Sequence, residues 1–118
     1  MSTRKDNDFL NGVPELLILR LVARQPMYGY EIVQAIRLST GGVLSFGEGC
    51  VYPVLHRLEA DGQLSSTREQ VGGRSRVVYR LTPAGEKRLG AATERWAGVS
   101  AAVGKVLGGG RDGAPAVA

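Results

Sequence analysis

The sequence is poor in the residues that most reactive centres need. Its 118 residues include one cysteine, Cys50, and one histidine, His56. A lone thiol cannot close an internal disulfide, and one thiol with one imidazole makes no metal-ligand cluster. A Ser-His-Asp triad is not easily assembled from this inventory, and no Gly-rich phosphate loop is present. No metal, cofactor or enzymatic activity is therefore expected. Long apolar runs are missing as well. The longest, from Leu16 to Ala23, is broken by Arg20 and falls far short of the roughly 20 residues that span a bilayer. Residues 1–11 mix charged and polar groups without the apolar centre of a signal peptide. A cytoplasmic location with no membrane partner follows by default.

What is present suits one small domain. Fifteen Lys and Arg stand against eleven Asp and Glu, a net charge of +4. Their placement says more than the total. Between Gln70 and Arg88, five cations (Arg74, Arg76, Arg80, Lys87 and Arg88) face only Glu86, so this window carries +4 by itself. Arg74 and Arg76 follow Gly72-Gly73, which places them at a turn, where a guanidinium can reach a polyanion.

Apolar spacing predicts four helices and a hairpin. Residues 1–11 read as a flexible arm. Val13 to Ala23 is apolar on nearly every side, with Pro14 suited to a helix first turn and Gln25-Pro26 ending it. Tyr30 to Leu38 forms a second helix, closed by Ser39-Thr40-Gly41-Gly42. A third runs from about Gly49 to Asp61-Gly62, with Val51, Val54, Leu55 and Leu58 as its core stripe. Pro53 is tolerated there only within the first turn or at a kink. Leu64–Glu69 and Ser75–Leu81, around Gly72-Gly73, read as a hairpin. Thr82-Pro83 then places a capping residue before a proline at the first helical position, opening a helix that reaches about Leu107. The Gly/Ala/Pro tail, 108–118, reads as disordered.

Leu89, Ala92, Trp96, Val99, Val103 and Val106 are spaced 3, 4, 3, 4, 3, an a/d seam of the kind that joins two helices. Together with Leu16 and Leu17 of the apolar first helix they are the candidate dimerisation residues. The fold class is mainly α with a small β-hairpin: a winged helix-turn-helix over 12–81, followed by a long C-terminal dimerisation helix over 82–107. In that architecture the third helix enters the DNA major groove and the wing reaches the backbone or minor groove.

The residues then become recognisable. Leu16–Leu19, Pro26-Met27-Tyr28-Gly29-Tyr30-Glu31-Ile32, the stretch Gly49 to Glu59, Gly73-Arg74-Ser75-Arg76 and Tyr79-Arg80-Leu81-Thr82, with Gly85 and Leu89, resemble the PadR family of bacterial regulators. The resemblance runs from about Leu16 to Trp96. It implies a homodimer on a palindromic site in double-stranded DNA, and repression relieved by a small-molecule effector. The single C-terminal helix fits the family's short branch. Cys50 stands where the family often has threonine, and Val78 where an aromatic is common.

On this reading the DNA-binding candidates are Tyr30, Cys50, Tyr52, Pro53, His56, Arg57, Arg74 and Arg76. Bland alternatives stand beside them. Tyr52 could pack on the second helix, Arg57 could pair with Glu59 or Asp61, and the wing arginines could simply be solvated. Cys50, near a helix start, could be a redox switch or an inert thiol. Trp96, with Ala92 and Val99, is either dimer packing or a platform for a planar apolar effector. The competing function is a winged-helix dimer that acts as a protein-interaction adaptor.

Overall fold

The computed structural model describes the backbone of residues 2–108 and the side chains of residues 12–108. In chain order it contains α1 (Ser2–Arg24), β1 (Met27–Tyr28), α2 (Gly29–Ser39), α3 (Glu48–Ala60), β2 (Leu64–Val71), β3 (Arg74–Leu81) and α4 (Pro83–Val106). The strands form one antiparallel sheet in the order β1-β3-β2.

One core joins the first three helices to the sheet. Ile18, Leu19 and Val22 of α1 meet Ile32 and Ile36 of α2, Val51, Leu55 and Leu58 of α3, and Leu64 and Tyr79 of the sheet. Each of the fully buried Leu and Ile side chains contributes about 1.5–3 kcal/mol. The expected stripe on α3 is the buried one: Val51, Val54, Leu55 and Leu58 all face inward.

The hairpin turns on two residues. Val71 pairs with Arg74, leaving Gly72 and Gly73 between them at φ of 59° and 79°. That is the left-handed pair a tight hairpin requires, and glycine adopts it without steric cost. Thr82 caps α4 as its sequence announces. Its Oγ1 accepts from the Gly85 N–H at 3.0 Å and donates to the Gly62 carbonyl at 2.7 Å, with Pro83 opening the helix.

Three sequence expectations need correction. First, α1 begins at Ser2, taking in most of the segment expected as a flexible arm, so Pro14 lies inside the helix. Burial decides this: the Pro14 ring is completely enclosed, which offsets the one backbone hydrogen bond a proline removes. Second, Pro53 is the sixth residue of α3, beyond its first turn. The carbonyl this frees belongs to Gly49, which is exposed and open to water. Third, the sheet has a third strand, because Met27 and Tyr28 pair with Tyr79 and Val78. Of the tail expected to be disordered, 109–118 lies outside the described residues.

The helical seam on α4 is where the fold is left open. Trp96 is 43% exposed, Val99 39%, Val103 50% and Val106 86%. Single exposed apolar residues are ordinary, but four at heptad spacing on one helix form a patch that calls for a partner.

Candidate nucleic-acid interface

The exposed face of α3 follows from its buried one. With Val51, Val54, Leu55 and Leu58 inward, the stripe Gly49, Pro53, His56 and Ala60 points outward, and all four are exposed. The helix ridge offered to a ligand is therefore narrow and mostly small. Only His56 brings hydrogen-bonding capacity to its middle. Cys50, half-buried, lies in the first turn, where its own N–H bonds the Gly47 carbonyl.

Tyr52 and Arg57 leave that ridge on opposite flanks. The Tyr52 ring lies against the start of α2, where a Cβ on Gly29 would stand 2.3 Å from Tyr52 Cε1. A side chain at position 29 would therefore force the Tyr52 ring to move. The Tyr52 ring centroid lies 6.4 Å from that of His56, tilted by 40°. Burial pushes the Tyr52 hydroxyl above the ordinary tyrosine value; Glu48 adds to the rise and Arg76 opposes it. At neutral pH it is an intact O–H donor. The hydroxyl end of the ring is the part packed on α2, and the side chain as a whole is half-buried.

Arg57 turns the other way, toward α1. Its Nη2 lies 3.2 Å from Glu15 Oε1, while Arg88 Nε of α4 lies 2.6 Å from Glu15 Oε2. Neither Glu59 nor Asp61 is the partner. Glu59 instead accepts from Ser66 Oγ at 2.6 Å. Glu15 is the one buried charged side chain among the described residues, and two half-exposed guanidinium groups satisfy it. Arg57 thus links α3 to α1 while its side chain stays half-exposed.

At the start of α2, Tyr30 is 47% exposed and its hydroxyl accepts from Gln34 Nε2 at 2.5 Å. Glu31, half-buried, acts as a cap, accepting the Tyr28 N–H at 3.2 Å.

The wing's charge is less than its sequence suggests. Arg80 Nη1 lies 2.7 Å from Glu69 Oε2, and that hydrogen bond, with one from Thr67, holds the Glu69 carboxyl below its ordinary value. Arg88 is taken by Glu15. Of the five cations in the basic window, Arg74, Arg76 and Lys87 have no carboxylate partner among the described residues. Arg74 stands exposed at the tip. Arg76 lies with its guanidinium carbon 4.3 Å from the centroid of the Tyr28 ring. Sequence reasoning missed Tyr28, whose role appears only once β1 is seen to pair with β3. It also missed Arg68, exposed on β2 with Nη1 3.5 Å from Ser75 Oγ. A two-residue turn fixes that register, so pairing outward from Gly72-Gly73 would have placed Arg68 beside the wing tip.

Between α1 and α4 runs an open groove of about 450 Å³, lined by Val13, Leu16, Ala92, Trp96 and Val99, with Glu15, Arg88 and Arg95 at its polar side. The three effector candidates thus share one wall. Leu16 faces the same groove, while Leu17 and Leu89 pack against the core. No helix among the described residues is long and apolar enough to cross a membrane.

Comparison with known proteins gives this arrangement a family. Residues 18–91, more than half the chain, match the transcriptional regulator PadR-like family. The transcriptional regulator Rv3488 of Mycobacterium tuberculosis is 43% identical over 82 residues, covering 70% of this chain and 74% of the relative. The crystal structure of smu.1704 from Streptococcus mutans superposes with a TM-score of 0.75 at 37% identity, over 83% of this chain and 90% of the other. A transcriptional regulator from Clostridium thermocellum gives 0.76 at 31%, over 83% and 93%. With its winged helix-turn-helix, its long C-terminal helix and these matches, the chain belongs to the PadR-like family of transcriptional regulators and is not an enzyme.

Proposed function

We propose that this protein is a homodimeric, DNA-binding repressor that a small molecule releases from a palindromic site. The observation that carries the DNA reading is the common edge formed by α3, the start of α2 and the wing. Tyr52, Tyr28 and Arg76 are drawn together there, with Tyr30, His56 and Arg74 exposed nearby. Family membership supports the same partner.

The chemistry divides by residue. Arg74 and Arg76 meet phosphates, while Tyr52 and Tyr30 donate hydroxyl hydrogen bonds to the backbone. His56 is the member of the α3 ridge able to reach a base edge, and Pro53 and Cys50 shape the surface that enters the groove. Arg57 acts indirectly, by fixing α3 through Glu15. So lean a ridge implies affinity that comes mainly from backbone charge and is therefore steeply salt-dependent.

Arg74→Ala tests this directly. It should weaken binding to specific and generic duplexes alike and lower the slope of log K against log salt by about one. Fluorescence anisotropy across a salt series reads both. An unchanged slope would remove Arg74 from the interface, and binding indifferent to both sequence and salt would favour an adaptor role.

Dimerisation follows from the exposed α4 seam, whose heptad spacing is self-complementary. Two copies would present their α3 helices to successive major grooves, about 34–36 Å apart. The effector would occupy the α1–α4 groove against Trp96. A panel of planar compounds should then quench Trp96 fluorescence saturably for at least one member, and that member should lower DNA affinity. Flat titrations throughout would rule out an aromatic platform.

A further inference from the structure

Arg76 is held in an unusual way for a surface arginine. Its direct cross-strand neighbour is Glu69, a natural partner for it. Yet Glu69 is engaged by Arg80, four residues further along β3. No carboxylate approaches Arg76 among the described residues. Its Nε is buried without a hydrogen-bond partner, the one side-chain nitrogen or oxygen in that condition among the described residues. Sealing such a donor is costly, and what lies against it is the Tyr28 ring, at 4.3 Å.

Tyr28 is itself fixed from several directions. Its backbone pairs with Val78 of β3, its N–H is taken by the Glu31 carboxylate, and it is the N-cap residue of α2. The residue that carries the ring is thus anchored to both β3 and α2, and the guanidinium carbon of the wing's arginine lies over that ring. An arginine stem left to itself samples many rotamers. Stacked, it keeps its charge and its outer nitrogens in one place.

We propose that Tyr28 is a positioning residue for DNA binding, whose ring holds the Arg76 guanidinium toward a phosphate. The proposal rests on the reading of the wing as a phosphate contact. It adds that the contact is pre-organised from α2 and does not depend on the hairpin alone. The ring face supplies this, so the tyrosine hydroxyl is dispensable.

The test is a double-mutant cycle on the full chain, with a labelled generic-sequence duplex as probe across a salt series. Arg76→Gln should weaken binding and flatten the salt slope by about one. Tyr28→Phe should bind as the parent does. Tyr28→Leu should weaken binding about two- to fivefold, the fold-change of an exposed cation–π contact, and should add nothing in the Arg76→Gln background. Tyr28→Met, similar in bulk but without a π face, repeats the test should the leucine variant not fold. If Arg76→Gln leaves affinity and slope unchanged, the wing contact itself is wrong and the proposal falls with it. If Arg76→Gln weakens binding but Tyr28→Leu costs the same with or without Arg76, the wing contact stands and the positioning role is overturned.

Discussion

Val103→Glu should turn the protein into a monomer and reduce its affinity for a two-half-site duplex by about 100-fold or more. The side chain lies on the exposed seam of α4, 50% accessible, midway between Val99 and Val106 and away from the α1–α4 groove. In the lone subunit a glutamate there meets only water, so the fold should survive. In a helix-to-helix seam it would be desolvated against the partner's apolar residues, once from each copy, since a two-fold interface uses the same patch on both. A carboxylate buried there without a cationic partner is costly in either protonation state. The affinity loss then comes from losing the second half-site, which converts an intramolecular second contact into a bimolecular one. Sedimentation velocity and anisotropy on the same preparation check both halves of the expectation. A variant that remains dimeric would move the interface elsewhere.

Gly85→Ala is expected to be the most damaging single methyl group in the molecule. A Cβ at that position would stand 2.1 Å from the backbone oxygen of Gln63 and 2.6 Å from Leu81 Cδ1. Leu81 can change rotamer, but the Gln63 carbonyl cannot easily move. It already accepts the Thr82 N–H at 3.2 Å, at the point where α4 leaves the sheet. Relief would require α4 to lift from the end of β2, undoing the Thr82 cap as well. The expected cost is about 3 kcal/mol, a fall in Tm of roughly 10–20 °C, measured at fixed protein concentration because a dimer's melting depends on it. Gly90→Ala supplies the contrast. Nothing lies within 4 Å of a Cβ there, so the same change one and a half turns later should stabilise α4 by about 0.5–1 kcal/mol. Equal effects at the two positions would mean that the close approach at Gly85 carries no energetic weight.

Features encoded locally were legible in the sequence. The Thr82-Pro83 start, the Gly72-Gly73 turn and the inward stripe of α3 each depend on residues a few positions apart, and each is found where the spacing puts it. The departures all involve distant parts of the chain. Pro14 reads as a helix start because a proline usually is one, and only burial of its ring makes an interior position acceptable. Met27-Tyr28 is too short to read as a strand and exists as one because β3 is alongside. The Glu15 pairings join residues 42 and 73 positions apart, which no local pattern announces. The same holds for the candidate interface. Arg74 was visible as a charge at a turn, whereas the hold on Arg76 and the diversion of Arg57, Arg80 and Arg88 to internal partners were not.

Glu15 leaves the subunit with a mechanical linkage of very few parts. A single carboxylate clasps α3 with one oxygen and α4 with the other, and it does so on the wall of the groove beside Trp96. Whatever slides α4 along α1 must therefore either carry α3 with it or break the clasp, so the two helices are coupled through one side chain.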